Sequence, residues 1–72
     1  MKFNLYNSTV TGKPSRKVLK QIEAASLDAA VDALFADDPN VSFDCISDHV
    51  CVVDGDNVTF WVCEQGYRPH AD

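Results

Sequence analysis

Apolar and polar positions alternate from the first residues: Phe3 and Leu5 fall on one side of an extended segment, Asn4 and Tyr6 on the other. That period predicts an opening strand over 2–10 with one half-buried face. Thr11-Gly12-Lys13-Pro14-Ser15 is a turn cluster. Residues 17–24 predict a second strand, with Val18, Ile22 and Ala24 on one side and Leu19, Gln21 and Glu23 on the other. The short connection makes the pair an antiparallel hairpin. The period then changes. Leu27, Ala30, Val31, Leu34 and Phe35 recur at spacings of three and four, one apolar stripe of a helix over 27–37. Ser26 is placed as its N-cap and Asp28 suits the positive end of its dipole. Pro39 ends it, because the residue before a proline avoids helical angles.

Residues 41–63 are strand material around two turn signals, Asp54-Gly55-Asp56-Asn57 and the weaker Ser47-Asp48. With both turns the strands are 41–46, 49–54 and 58–63; with the first alone, 41–53 is one long bent strand. The expected fold is α+β: a single helix packed on a four- to five-stranded antiparallel sheet, in the order β-β-α-β-β-β. Residues 1–72 form one domain, with a frayed tail over 66–72. Composition agrees, since 46% of the 72 residues are apolar. A domain this size buries only about 60% of its unfolded surface.

Register decides which side chains meet the helix. A three-residue loop, Gly55-Asp56-Asn57 with Asn57 left-handed, pairs Val52 with Phe60 and Val50 with Val62. A two-residue turn at Ser47-Asp48 pairs Cys45 with Val50 and Phe43 with Val52. Val41, Phe43, Cys45, Val50, Val52, Phe60 and Val62 then face the helix. An open face carries Asp44, Ile46, His49, Cys51, Val53, Thr59, Trp61 and Cys63, with Cys51 opposite Trp61 and His49 opposite Cys63. Trp61, Ile46 and Val53 make an apolar patch there, which reads either as a single aromatic lying across a sheet or as an interface patch, where Trp is a common anchor. A slip of one residue would put His49 and Cys51 in the core instead. Burying Val and Phe selects the first register.

Charge changes the picture more than composition does. The net charge is −5, but Lys2, Lys13, Arg16, Lys17 and Lys20 precede every acid, and all eleven acids lie from Glu23 onward. Asp28 and Asp32 are like charges one helical turn apart, which is unfavourable. Asp37 and Asp38 stand at the helix C-terminus, where the dipole disfavours them. These acids read either as an ordinary solvated surface, with turn chemistry for Asp54 and Asp56, or as an acidic ridge. Such a ridge would dock on a basic protein surface as a nucleic-acid mimic does, and rules broken without structural gain point to function.

Catalytic signals are weak. His49, Cys51 and Cys63, with Asp44 or His70, include zinc-ligand types, but there is no C-x-x-C and no metal or other cofactor is expected. A Cys63–His49 nucleophile pair lacks an orienting group. No phosphate-binding glycine loop, H-E-x-x-H or G-x-S-x-G occurs, so the chain is read as not an enzyme. Apolar runs of three or four residues exclude a membrane span, and Met1–Leu5 lacks the apolar segment of a signal peptide. The cytoplasm is therefore expected, with Cys45, Cys51 and Cys63 as free thiols. Lys13, Arg16, Lys17 and Lys20 could straddle a phosphate backbone, yet −5 overall disfavours direct nucleic-acid binding.

The strand-to-helix run Ile22-Glu23-Ala24-Ala25-Ser26-Leu27-Asp28-Ala29-Ala30, with the size, the acidity and the one-helix sheet, resembles small phage and mobile-element accessory proteins of the anti-CRISPR, anti-defence type. That group shares no defining motif, so the resemblance assigns no residue roles. It implies a non-enzymatic inhibitor, acting in the host cytoplasm if phage-encoded, that blocks nucleic-acid access to a CRISPR-type defence complex. The partner would be a larger protein or ribonucleoprotein with a basic surface; the acidic ridge and the open sheet face, not the resemblance, put Asp28, Asp32, Asp37, Asp38, Asp44 and Trp61 against it. The alternative is a small nucleic-acid-binding or regulatory module acting through the basic first hairpin.

Overall fold

The computed structural model describes residues 1–10, 12–38, 40–55 and 58–67. Its elements are β1 (Lys2–Ser8), β2 (Pro14–Glu23), α1 (Leu27–Phe35), β3 (Ser42–Cys45), β4 (Val50–Asp54) and β5 (Thr59–Glu64). All five strands join one antiparallel sheet in the order β2-β1-β5-β4-β3. The α+β fold with one helix on a sheet is therefore as expected. β3 and β4 are separate strands paired antiparallel, so 41–53 is not one bent strand.

The two edge strands, β2 and β3, flank α1 in sequence. The chain has to cross the whole sheet between them, and the crossing segment is the helix. Its apolar stripe then packs on the sheet: Leu27, Ala30 and Val31 join Phe3, Cys51, Val53 and Val62 in one buried cluster. Leu5, Ile22, Ala24, Leu34, Phe35, Val41 and Phe60 pack against it. Phe35 and Phe60 approach at 5.6 Å between ring centroids with a 45° tilt, a favourable aromatic geometry.

The expected alternation holds for β1, β3 and β5 and fails for β4. Val52 pairs with Trp61, not Phe60, and Val50 with Cys63, not Val62. On the other side, Cys45 pairs with Cys51 and Phe43 with Val53. Each connection holds one more residue than expected: Asp54 pairs with Thr59, closing over 55–58, and the Ile46 N–H reaches the Val50 carbonyl at 3.0 Å, closing over 47–49. One added residue in each turn shifts β4 by one against both neighbours and exchanges its faces. Cys51 and Val53 thus enter the core, while Val50 and Val52 turn away from the helix. The left-handed conformation expected at Asn57 lies outside the described residues.

The second sheet face is not open. Tyr6, Val50, Trp61 and Cys63 form a second buried cluster with Val52 against it. Trp61 lies in register between Tyr6 on β1 and Val52 on β4, and both pack in its cluster. β2 departs from simple alternation as well. Leu5 pairs with Lys20 and Tyr6 with Val18, so Leu19 is an extra residue in a bulge.

The first hairpin closes through Gly12 at φ 80°, whose N–H donates to the Thr9 carbonyl at 3.0 Å. A side chain there would meet no atom, so the requirement for glycine is conformational alone. At the C-terminal side, Gly66 and Tyr67 of the expected frayed tail are held. The Tyr67 N–H donates to the Glu64 carbonyl at 2.9 Å, and its ring stacks on His49 at 3.9 Å. The rest of that tail, 68–72, lies outside the described residues.

Candidate functional site

The acidic surface is built on α1. Ser26 adopts extended angles and its Oγ accepts a hydrogen bond from the Ala29 N–H at 3.2 Å, the expected N-cap. The helix runs over Leu27–Phe35, two residues shorter than expected, with Ala36 as C-cap. Turning Leu27, Ala30 and Val31 inward leaves Asp28 and Asp32 exposed on the outer side. Asp37 and Asp38 follow the C-terminus, also exposed, and the last turn has no basic residue. Asp38 does have a local role: its Oδ1 accepts from the Asn40 N–H at 3.0 Å. Asp54 similarly accepts from the Thr59 hydroxyl at 3.0 Å, which accounts for it as turn chemistry.

The remaining two expected site residues lie elsewhere. Asp44 pairs with Val52 and is exposed on the sheet face opposite the helix. It joins the helix acids only around the edge of β3. Trp61 is on that same face but only 6% exposed. It is a core residue of the second cluster, not a surface anchor, and the expected patch of Trp61, Ile46 and Val53 does not form.

Residue alternation alone misses one feature, a groove of roughly 190 Å³ between α1 and β3. Val31, Phe35, Ala36, Val41 and Phe43 line it, and Asp32 and Asp38 stand on its rim. Phe43 is 44% exposed on an edge strand. Its expected packing under the helix fails because β3 is the outermost strand, at the margin of what a nine-residue helix covers.

The cysteines depart from expectation. Cys45 and Cys51 form a disulfide, since the shifted register places them directly opposite each other. Cys63 stays outside it, buried on the other face. Cys51 and Cys63 therefore point to opposite sides of the sheet and do not share a site. His49 is not opposite Cys63, a place taken by Val50. Instead His49 Nδ1 lies 3.6 Å from a Glu64 carboxylate oxygen, under the Tyr67 ring. Among the described residues no group of three or more His, Cys, Asp or Glu side chains gathers in an arrangement that could hold a metal ion. No helix among them is long and apolar enough to cross a membrane.

The basic residues Lys13, Arg16, Lys17 and Lys20 are all exposed on the first hairpin and the β2 edge, away from the β3 edge. No family model, characterised protein or solved structure matches the chain.

Proposed function

We propose that this protein is a non-enzymatic docking module that presents an acidic surface to the basic, nucleic-acid-binding surface of a larger protein and so blocks nucleic acid from it. The observation that carries the reading is the exposed acidic row Asp28, Asp32, Asp37 and Asp38 on and beside α1. No lysine or arginine occurs between residues 21 and 67 of the sequence. Charge complementarity of that kind raises association rates and excludes wrong partners. A CRISPR-type defence complex, implied by the anti-defence resemblance, is the finer form of the proposal. Asp44 contributes around the β3 edge; Trp61 supports the fold behind it.

The test is affinity capture from host lysate, followed by displacement of an oligonucleotide from the captured protein. Asp32→Lys/Asp37→Lys should abolish both capture and displacement. A partner held equally by that variant removes the helix surface from the assignment, and turnover of a substrate by the purified chain removes the non-enzymatic reading.

The exposed basic β2 edge favours a second reading, a nucleic-acid-binding module. Tight, salt-sensitive binding of duplex DNA lost on Lys13→Ala/Arg16→Ala would establish it in place of the first.

A further inference from the structure

Strand β3 ends the sheet and pairs only with β4 among the described residues. The Ile46 N–H donates to Val50 across that pair at 3.0 Å, and antiparallel pairing alternates along a strand. The N–H and C=O groups of Phe43 and Cys45 therefore point away from β4, along the open edge. Beside them lies the α1–β3 groove with its apolar floor and its rim of Asp32 and Asp38. Phe43 and Ile46, 44% and 62% exposed, add apolar surface to the same edge. Asp44 and Asp48 add negative charge.

A strand edge with unused backbone groups is a template for another strand. The geometry points to an extended segment of the partner, in which lysine or arginine alternates with apolar residues, adding to β3 as a further strand. This rests on the docking reading above and names the form its basic partner takes. Alternation places the segment's apolar side chains beside Phe43 and over the groove, and its basic side chains on the face of Asp44. Asp32 and Asp38 attract the cationic segment as it arrives.

A second copy of this chain is the other basic candidate, because Arg16, Lys17 and Lys20 lie on its β2 edge. The bulge at Leu19 argues against it. Leu5–Lys20 and Tyr6–Val18 pairing breaks the regular alternation that a strand laid on β3 requires, and bulges are a known means of blunting edges. Joining unlike edges would also build an open chain of molecules and not a closed dimer.

Two labelled peptides of equal charge separate the possibilities: alternating lysine and valine, which can form a strand, and alternating lysine and proline, which cannot donate backbone hydrogen bonds at every second position. In fluorescence anisotropy the lysine–valine peptide should bind at least about tenfold more tightly than the lysine–proline peptide. Phe43→Pro removes an N–H that the β3–β4 ladder does not use, so the fold should survive, as edge strands tolerate proline there. It should weaken the lysine–valine peptide by about tenfold, and Phe43→Ala by less. Asp32→Lys/Asp38→Lys should weaken both peptides.

Equal binding of the two peptides, with no effect of Phe43→Pro, overturns strand addition and leaves charge docking standing. No binding of the lysine–valine peptide, where lysate capture still depends on Asp32 and Asp37, also overturns strand addition alone. Insensitivity of both peptide binding and capture to the aspartate changes overturns the docking reading with it. Concentration-dependent self-association that excludes the peptide assigns the edge to a second copy and overturns the partner segment.

Discussion

Cys45 stands directly opposite Cys51 across the β3–β4 pair, and the two are joined by a disulfide that ties the exposed edge strand to the buried one. Titration of the denatured, unreduced chain should find one thiol, that of Cys63, and three after reduction. For so short a loop the chain-entropy model gives a loss of about 2 kcal/mol on reduction, read as a lower denaturation midpoint. Three thiols before reduction would remove the disulfide. In a reducing compartment the pair opens, and β3 is the strand that loosens first, because β4 keeps its pairing with β5.

Trp61 belongs to the interior. Trp61→Ala should lower stability by about 3–5 kcal/mol, a large share of what a domain this small possesses. Native tryptophan emission should lie at short wavelength and shift to long wavelength on unfolding. Trp61→Ala with unchanged stability and lost partner capture would restore it as a surface anchor.

Ser26 carries the start of the helix through one hydrogen bond, to Ala29. Ser26→Ala should lower stability by about 1 kcal/mol and Ser26→Asp should retain most of it. Equal loss in both variants would show that the hydroxyl is not acting as a cap.

Gly12 closes the first hairpin at φ 80° with open space around it. Gly12→Ala should destabilise by roughly 1–2 kcal/mol through backbone conformation alone. Gly12→Asn should destabilise less, because asparagine tolerates the left-handed region. A neutral Gly12→Ala would mean that the turn relaxes to another geometry.

Asp37 opposes the dipole at the end of α1, and no basic residue offsets it there. Asp37→Lys should stabilise the fold by about 0.3–1 kcal/mol at low salt while weakening partner capture. Opposite signs for stability and binding are what a residue kept for docking predicts; loss of stability would give Asp37 a structural role instead.

Much of this was legible along the chain because local periods are local physics. The 3.6-residue stripe from Leu27 to Phe35, the Ser26 cap, the alternation of Phe3 and Leu5 against Asn4 and Tyr6, and the turn chemistry at Gly12 and Asp54 each depend on a few adjacent residues. They yielded the element order and the exposed acids Asp28, Asp32, Asp37 and Asp38. The groove beside Phe43 was not legible, since it joins α1 to a strand whose place at the sheet edge depends on the order of all five.

The parity of β4 shows the boundary most plainly. Val50-Cys51-Val52-Val53 is apolar at every position, so neither face is marked in the sequence. A strand between two others, buried on both sides, carries no polar alternation to record which side meets the helix. Turn lengths decide it, and one extra residue in each turn turned Cys51 toward Cys45 and the core and enclosed Trp61 between Tyr6 and Val52. The sequence by itself determined which segments are strand and helix and where charge is exposed, because those follow from neighbours in the chain. Only the tertiary structure decided the strand order, the register and the disulfide, because each depends on contacts between residues distant in sequence.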